Sequence, residues 1–210
     1  MIRSIQILIL FLSCVVRAQD SIPVKVMYDR FEIQPGKTIL FQDDSIRIDV
    51  VKFYLSNVVV GGSELSSGLL FDLEKDQNYL LTPISPIDKM QFTLGVDSLT
   101  NANGISGGIL DPIHGMYWSW QSGYINFKLE GIHFENGVAE EFNFHIGGFL
   151  NGYNCERRIQ LQGSSNVSRL ELDLNQMLQT LSTDQPKKIM SPGKIAMELA
   201  DILADSFFLR

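Results

Sequence analysis

Cysteine, histidine and positive charge are all scarce in this 210-residue chain. Two cysteines, Cys14 and Cys155, cannot make a disulfide-dense scaffold, and no CxxC or Cys/His run suggests a zinc module. Lys and Arg number 17 against 24 Asp and Glu, a formal charge of −7 with a pI near 4.9. That balance argues against an electrostatic grip on nucleic acid or anionic lipid. Three histidines exclude a rich histidine cluster. Hydrolytic chemistry has no signature, because G-x-S-x-G, H-E-x-x-H, a phosphate-binding glycine loop and an EF-hand pattern are all missing. Past the N-terminus no apolar run is long enough to span a bilayer. No internal repeat or low-complexity stretch occurs. Charged residues make up 20% and aromatics 10%, too few and too many respectively for a disordered chain. What remains is a folded domain long enough to bury a real core.

The first residues, MIRSIQILILFLSCVVRA, read as an address. Arg3 precedes an apolar run from Ile5 to Val16, and Val16 and Ala18 supply small residues at −3 and −1, so residues 1–18 form a secretory signal peptide. The run is shorter than a membrane span. A lipoprotein reading through Cys14 has a poor approach in Phe11-Leu12-Ser13. Cleavage removes Arg3 and Arg17 and no acid, taking the formal charge from −7 to −9. It leaves Cys155 alone, read as a small buried side chain. The mature domain is residues 19–210, exported to the periplasm or the extracellular space.

From about residue 22 to 173 the pattern is alternating segments separated by turn residues. Ile22–Phe31 alternates, and Gln34-Pro35-Gly36-Lys37 makes a turn. Residues 46–60 are rich in β-branched and aromatic side chains, as a strand pair or one bent strand, ended by Gly61-Gly62. Shorter strands are expected at 68–73, 79–81, 89–96, 158–162 and 168–174, with 97–112 a long exposed loop. Residues 118–133 and 138–146 form a hairpin around Asn136-Gly137, the strongest short turn signal available. These strands specify an all-β fold, an antiparallel β-sandwich. Ser191-Pro192 then reads as an N-cap and first helical residue, opening an amphipathic helix over about 192–206 with Ile195, Leu199, Ile202 and Leu203 on one face.

The informative stretch is residues 110–131, LDPIHGMYWSWQSGYINFKLEG. In an extended strand Trp118, Trp120, Tyr124, Asn126, Lys128 and Glu130 face one way, and Tyr117, Ile125, Phe127 and Leu129 face the core. This segment resembles the signature of the MbnP-like family, the methanobactin-associated copper-binding periplasmic proteins and their relatives. Residues 53–58 (FYLSNV), 144–147 (FHIG) and the ending 190–193 (MSPG) plus a helix are similar to that family too. The resemblance implies a secreted, non-enzymatic β-sandwich that binds copper through histidine, beside a tryptophan oxidised to kynurenine by a partner dihaem enzyme of the cytochrome c peroxidase type. The chemistry is coherent, since neutral imidazole suits copper and Cu²⁺ tops the divalent affinity order.

His145 has the best claim as a metal ligand, because it sits in the matching Phe-His-Ile-Gly and points away from the face that buries Phe142, Phe144 and Ile146. A hydrogen-bonded histidine at a sheet seam is the bland alternative. His114 is a second candidate that matches no identifiable family ligand, and His133, near the hairpin tip, reads as solvated. Trp118 and Trp120 are either core aromatics or the oxidisable pair, with Trp120 slightly preferred. Met116 reads as a gap-filling side chain rather than a soft Cu(I) ligand, and Lys128 and Glu130 as a solvated face rather than a cross-strand pair. One geometric objection stands against the site. The Asn136-Gly137 register pairs Lys128 with His145, and Trp120, eight residues further on at about 3.3 Å each, would lie about 26 Å away unless the strand bends, bulges near Gly123 or Gly131, or the ligands come from loops on neighbouring strands. The competing function is an extracellular binding or adhesion module that has lost the metal site and whose exposed aromatics stack on a glycan or meet a protein.

Overall fold

The computed structural model describes residues 20–65, 68–76, 78–82, 87–118, 123–150, 152–163 and 167–210. The leader, Trp120 and Asn166 of the Asn166-Val167-Ser168 sequon lie outside the described residues. In chain order the strands are β1 (Asp20–Tyr28), β2 (Phe31–Glu32), β3 (Thr38–Phe41), β4 (Asp44–Val60), β5 (Ser63–Glu64), β6 (Leu69–Asp72), β7 (Tyr79–Thr82) and β8 (Lys89–Leu94). A short helix α1 (Ser98–Ala102) and two 3-10 turns lead to β9 (Tyr117–Trp118), β10 (Gly123–Glu135), β11 (Val138–Gly147), β12 (Arg157–Gln162) and β13 (Leu170–Asp173). Helix α2 (Asn175–Gln179), β14 (Lys188–Ile189), helix α3 (Lys194–Ala204) and β15 (Phe207–Leu209) complete the chain.

Among the described residues the strands form two sheets. The larger runs β12-β8-β4-β10-β11-β14, with β3, β5 and β6 also on β4 and β9 on β10. The smaller runs β15-β13-β1-β2, with β7 on β1. Period-2 alternation drives their union: Ile22, Val24 and Val26 of β1 turn inward to meet Phe53, Leu55, Phe127, Leu129, Phe142 and Phe144 of the larger sheet. Ala196, Leu199, Ala200 and Leu203, at helical spacing on α3, close the same core.

The fold is the expected all-β sandwich, with several local corrections. It is not wholly antiparallel, because β1 pairs β13 and β11 pairs β14 in parallel. The alternating stretch 22–31 breaks into a hairpin at Asp29, whose φ is +54°. Residues 46–60 belong to one bent strand that slips register between Ser56 and Val59, where Asn57 takes a φ of +51°. Ser191 does not cap α3; Gly193 occupies that position without a side-chain bond, and the first helical residue is Lys194, not Pro192. After α3 the chain re-enters the smaller sheet as β15, where Phe207 packs edge-on against Phe53 and Phe92.

The Asn136-Gly137 turn is as expected, with φ of +50° and +80°, and it sets Lys128 opposite His145. Segment 97–118 is no loose loop. It folds over the outer face of the larger sheet and builds a second cluster there from Tyr54, Leu70, Val96, Met116, Trp118, Tyr124 and Ile125.

Candidate metal site

Strand alternation on β11 buries Phe142, Phe144 and Ile146 in the main core and turns Asn143, His145 and Gly147 outward. His145 is nonetheless 5% exposed. Directly opposite it on β10 is Lys128, whose other neighbour is Lys52 on β4, itself opposite Asp72 on β6. Asp72, Lys52, Lys128 and His145 therefore form one row across four strands of the outer face. Lys52 is drawn to Asp72, Nζ to Oδ2 3.1 Å, and Lys128 to Glu130, Nζ to Oε1 3.2 Å.

Glu130 is one position along from Lys128 on the same face, and it reaches diagonally to His145. The Nε2–H of His145 donates to Glu130 Oε1 at 2.6 Å. This bond, the adjacent Lys128 cation and the proximity of the ring hold the Glu130 carboxyl at a pKa of about 2, against the opposing effect of partial burial. His145 Nδ1 is buried and meets no protein donor or acceptor. The Lys128–Glu130 pair corrects the reading of a solvated face: both side chains are mostly covered, at 18% and 27% exposure.

The cover over this face is held by specific bonds. Asp97 caps α1 by accepting from the Thr100 backbone N–H at 2.9 Å. Asn101 is buried and bridges α1 to the sheet, donating to the Val96 carbonyl and accepting the Tyr124 N–H. The Tyr124 hydroxyl accepts from Ser106 N–H and donates to the Leu110 carbonyl. The Tyr54 hydroxyl donates to the Ile109 carbonyl.

Beyond Leu110 the chain passes over Lys128, so that a Cβ at Gly115 would stand 4.0 Å from Lys128 Nζ. It then returns as β9, which pairs with β10 through Trp118–Gly123 and Tyr117–Tyr124. This fold-back carries Trp118 to Gly147, two residues from His145. Trp118 is 1% exposed, and its six-membered ring rests on Gly147, the next outward-facing position after His145. A β-bulge between Ile125 and Phe127 accommodates the change of path. A cavity of about 190 Å³ opens beside the indole, walled by Gly148, Phe149, Tyr153 and Pro192.

The structure thus places His145 and Trp118 on one face of one sheet. His114 sits in the 3-10 turn Pro112–His114, half-buried, with its Nε2 bonded to the Gly108 carbonyl at 3.0 Å. His133 is far from this group and is not solvated: it is 2% exposed, points toward the main core and stands edge-on to Phe41 at 5.3 Å. Met116 is fully buried in the outer cluster, and Cys155 is a buried free thiol, both as expected. Among the described residues no three of His, Cys, Asp and Glu come together as a metal cage. They do fit copper at the level of one donor, a buried imidazole with an unsatisfied ring nitrogen. Glu130 is the residue that the residue patterns alone overlooked. The signal for it is the hairpin register, since pairing 128 with 145 puts Glu130 within diagonal reach of the ring.

Fold and face together define a two-sheet β-sandwich carrying a carboxylate-anchored histidine and a tryptophan-bearing strand pair on one face. The chain belongs to the MbnP family, whose model matches residues 19–191. Among solved structures it is similar to MbnP from Methylosinus trichosporium, with a TM-score of 0.55 at 13% identity over 84% of this chain and 81% of that one. At that identity the likeness shows the shared fold. Comparison with the curated proteins gives no match. Among the described residues no helix is long and apolar enough to cross a membrane.

Proposed function

We propose that this protein is an exported, non-enzymatic copper-binding protein, delivered by the leader at residues 1–18 to the periplasm or the cell exterior. His145 is a copper ligand, His114 the second candidate, and Trp118 or Trp120 lies beside the metal. The observation that carries this reading is the buried imidazole of His145, with a ring nitrogen that no protein group satisfies, on the face shared with the tryptophan hairpin. Burying an unsatisfied polar atom costs about 1–3 kcal/mol, and a metal on Nδ1 would offset that cost. Copper supplies a cation that neutral imidazole holds well. A tryptophan opened to kynurenine by a dihaem partner of the cytochrome c peroxidase type would add an aniline nitrogen and a ketone to the surroundings. The glycan-stacking alternative finds little support on this face, because Trp118 and Tyr124 are each 1% exposed.

The test is elemental analysis and intact mass of protein purified from its native host. Copper is expected to survive dialysis of the wild type and to be lost from His145→Ala, with the circular dichroism of the two unchanged. Kynurenine is expected as the gain of one oxygen and the loss of one carbon, localised by peptide mapping to Trp118 or Trp120. Undiminished copper in a folded His145→Ala protein, or no copper in the wild type, overturns the reading.

A further inference from the structure

We propose that Glu130 is a positioning residue that selects the donor atom of the site: its carboxylate fixes His145 as the Nε2–H tautomer and so presents Nδ1 to the metal. The inference rests on the copper reading above and deepens it.

A neutral imidazole has one N–H and one lone pair, and a group that binds the N–H decides which nitrogen can coordinate. A carboxylate accepts only, and Glu130 Oε1 lies 2.6 Å from Nε2. Nε2 is therefore the protonated nitrogen, and a metal on that side would have to displace both the hydrogen and the carboxylate. Nδ1, the remaining lone pair, is the ring nitrogen that is buried and unmet by protein.

The neighbouring charges hold Glu130 in this task. Lys128 Nζ approaches the same oxygen, Oε1, at 3.2 Å, and Lys128 stands directly opposite His145 across the strand pair. Its other cross-strand neighbour, Lys52, is directed away toward Asp72 at 3.1 Å, which leaves Lys128 to Glu130. The anchor is built into β10 and not into a loop, so ring orientation is set before any ligand arrives. Partners of this kind behind a metal-binding histidine typically change metal affinity by about 10–100-fold when removed.

The experiment uses the full chain labelled with ¹⁵N-histidine. Long-range ¹H–¹⁵N spectra of the metal-free protein assign the tautomer of His145, and anaerobic addition of Cu(I) then shows which nitrogen shifts. The expected result is Nε2–H in the metal-free wild type, a Cu(I)-dependent shift at Nδ1, and a mixed tautomer with about 10–100-fold weaker Cu(I) binding in Glu130→Ala. Glu130→Gln keeps an acceptor oxygen. It is expected to restore the tautomer and part of the affinity, and it serves as the variant if Glu130→Ala does not fold. An Nδ1–H tautomer in the wild type, or a Cu(I) shift at Nε2, overturns the role of Glu130 while leaving copper binding intact. An Nε2–H tautomer with no Cu(I) shift at either nitrogen overturns the copper reading and, with it, any metal-directing role.

Discussion

Glu130 and Cys155 show how far burial and neighbours move two ordinary side chains. The folded pKa of Glu130, about 2, lies below its usual 4.5, so the ionised form favours the folded state. That contribution is complete above pH ~4.5 and is lost as the pH falls toward ~2; with a discount for partial exposure it is on the order of 2 kcal/mol. Chemical denaturation between pH 2 and pH 5 is expected to show this loss in the wild type and a flatter profile in Glu130→Gln. Cys155 is affected in the opposite sense, since burial pushes its thiol up to about 11 from 9.0. Alkylation by iodoacetamide at pH 8 is expected to be at least about 100-fold slower in the folded protein than in denaturant, because the thiolate is the reacting form. A fast folded-state reaction would mean that the thiol is accessible. At this scale the sequence was informative about direction. Alternation alone turned His145 away from Phe144 and Ile146. It could not show that His133 is buried, because that depends on Phe41 of β3, a strand the sequence pattern did not reveal.

Among the elements, the turnback from β9 to β10 matters most. It lays Trp118 on Gly147, where a Cβ would stand 2.5 Å from the Tyr124 carbonyl oxygen and 2.9 Å from the indole ring. Gly147→Ala is therefore expected to cost about 1–3 kcal/mol in denaturant titrations and to alter tryptophan fluorescence, as overpacking of a tight contact does. Unchanged stability and emission would show that the indole moves aside at no cost. The Asn136-Gly137 hairpin and its register were legible because the turn chemistry is local. The fold-back of residues 117–118 was not, since a continuous aromatic run reads as one strand and a reversal inside it has no periodic signature. For the same reason segment 97–112 reads as an exposed loop. Its aliphatic and polar residues are tied down by single long-range bonds, such as Asn101 to Tyr124, which composition does not encode.

For the whole molecule, the last strand ties the end of the chain into the sandwich. β15 pairs with β13 in the smaller sheet, and Phe207 bridges to Phe53 and Phe92 of the larger one. Phe207→Ala is expected to destabilise the protein by about 3–5 kcal/mol, measured by urea unfolding, which is large against the stability of a typical domain. A cost below about 1 kcal/mol would mean that the sheets close without it. The all-β class and the terminal helix were visible in the alternation and the helical spacing. The parallel pairing of β1 with β13 was not, because these strands are far apart in sequence and only the closed sandwich brings them together. The outer cover comes from one part of the chain: residues 97–118 form one uninterrupted stretch, clamped by side-chain bonds, above a sheet that has its own separate core. Such a stretch works as a faceplate. Substitutions within it are expected to alter the cover over Lys128 and Gly147 while the hydrophobic layer between the two sheets keeps its own residues.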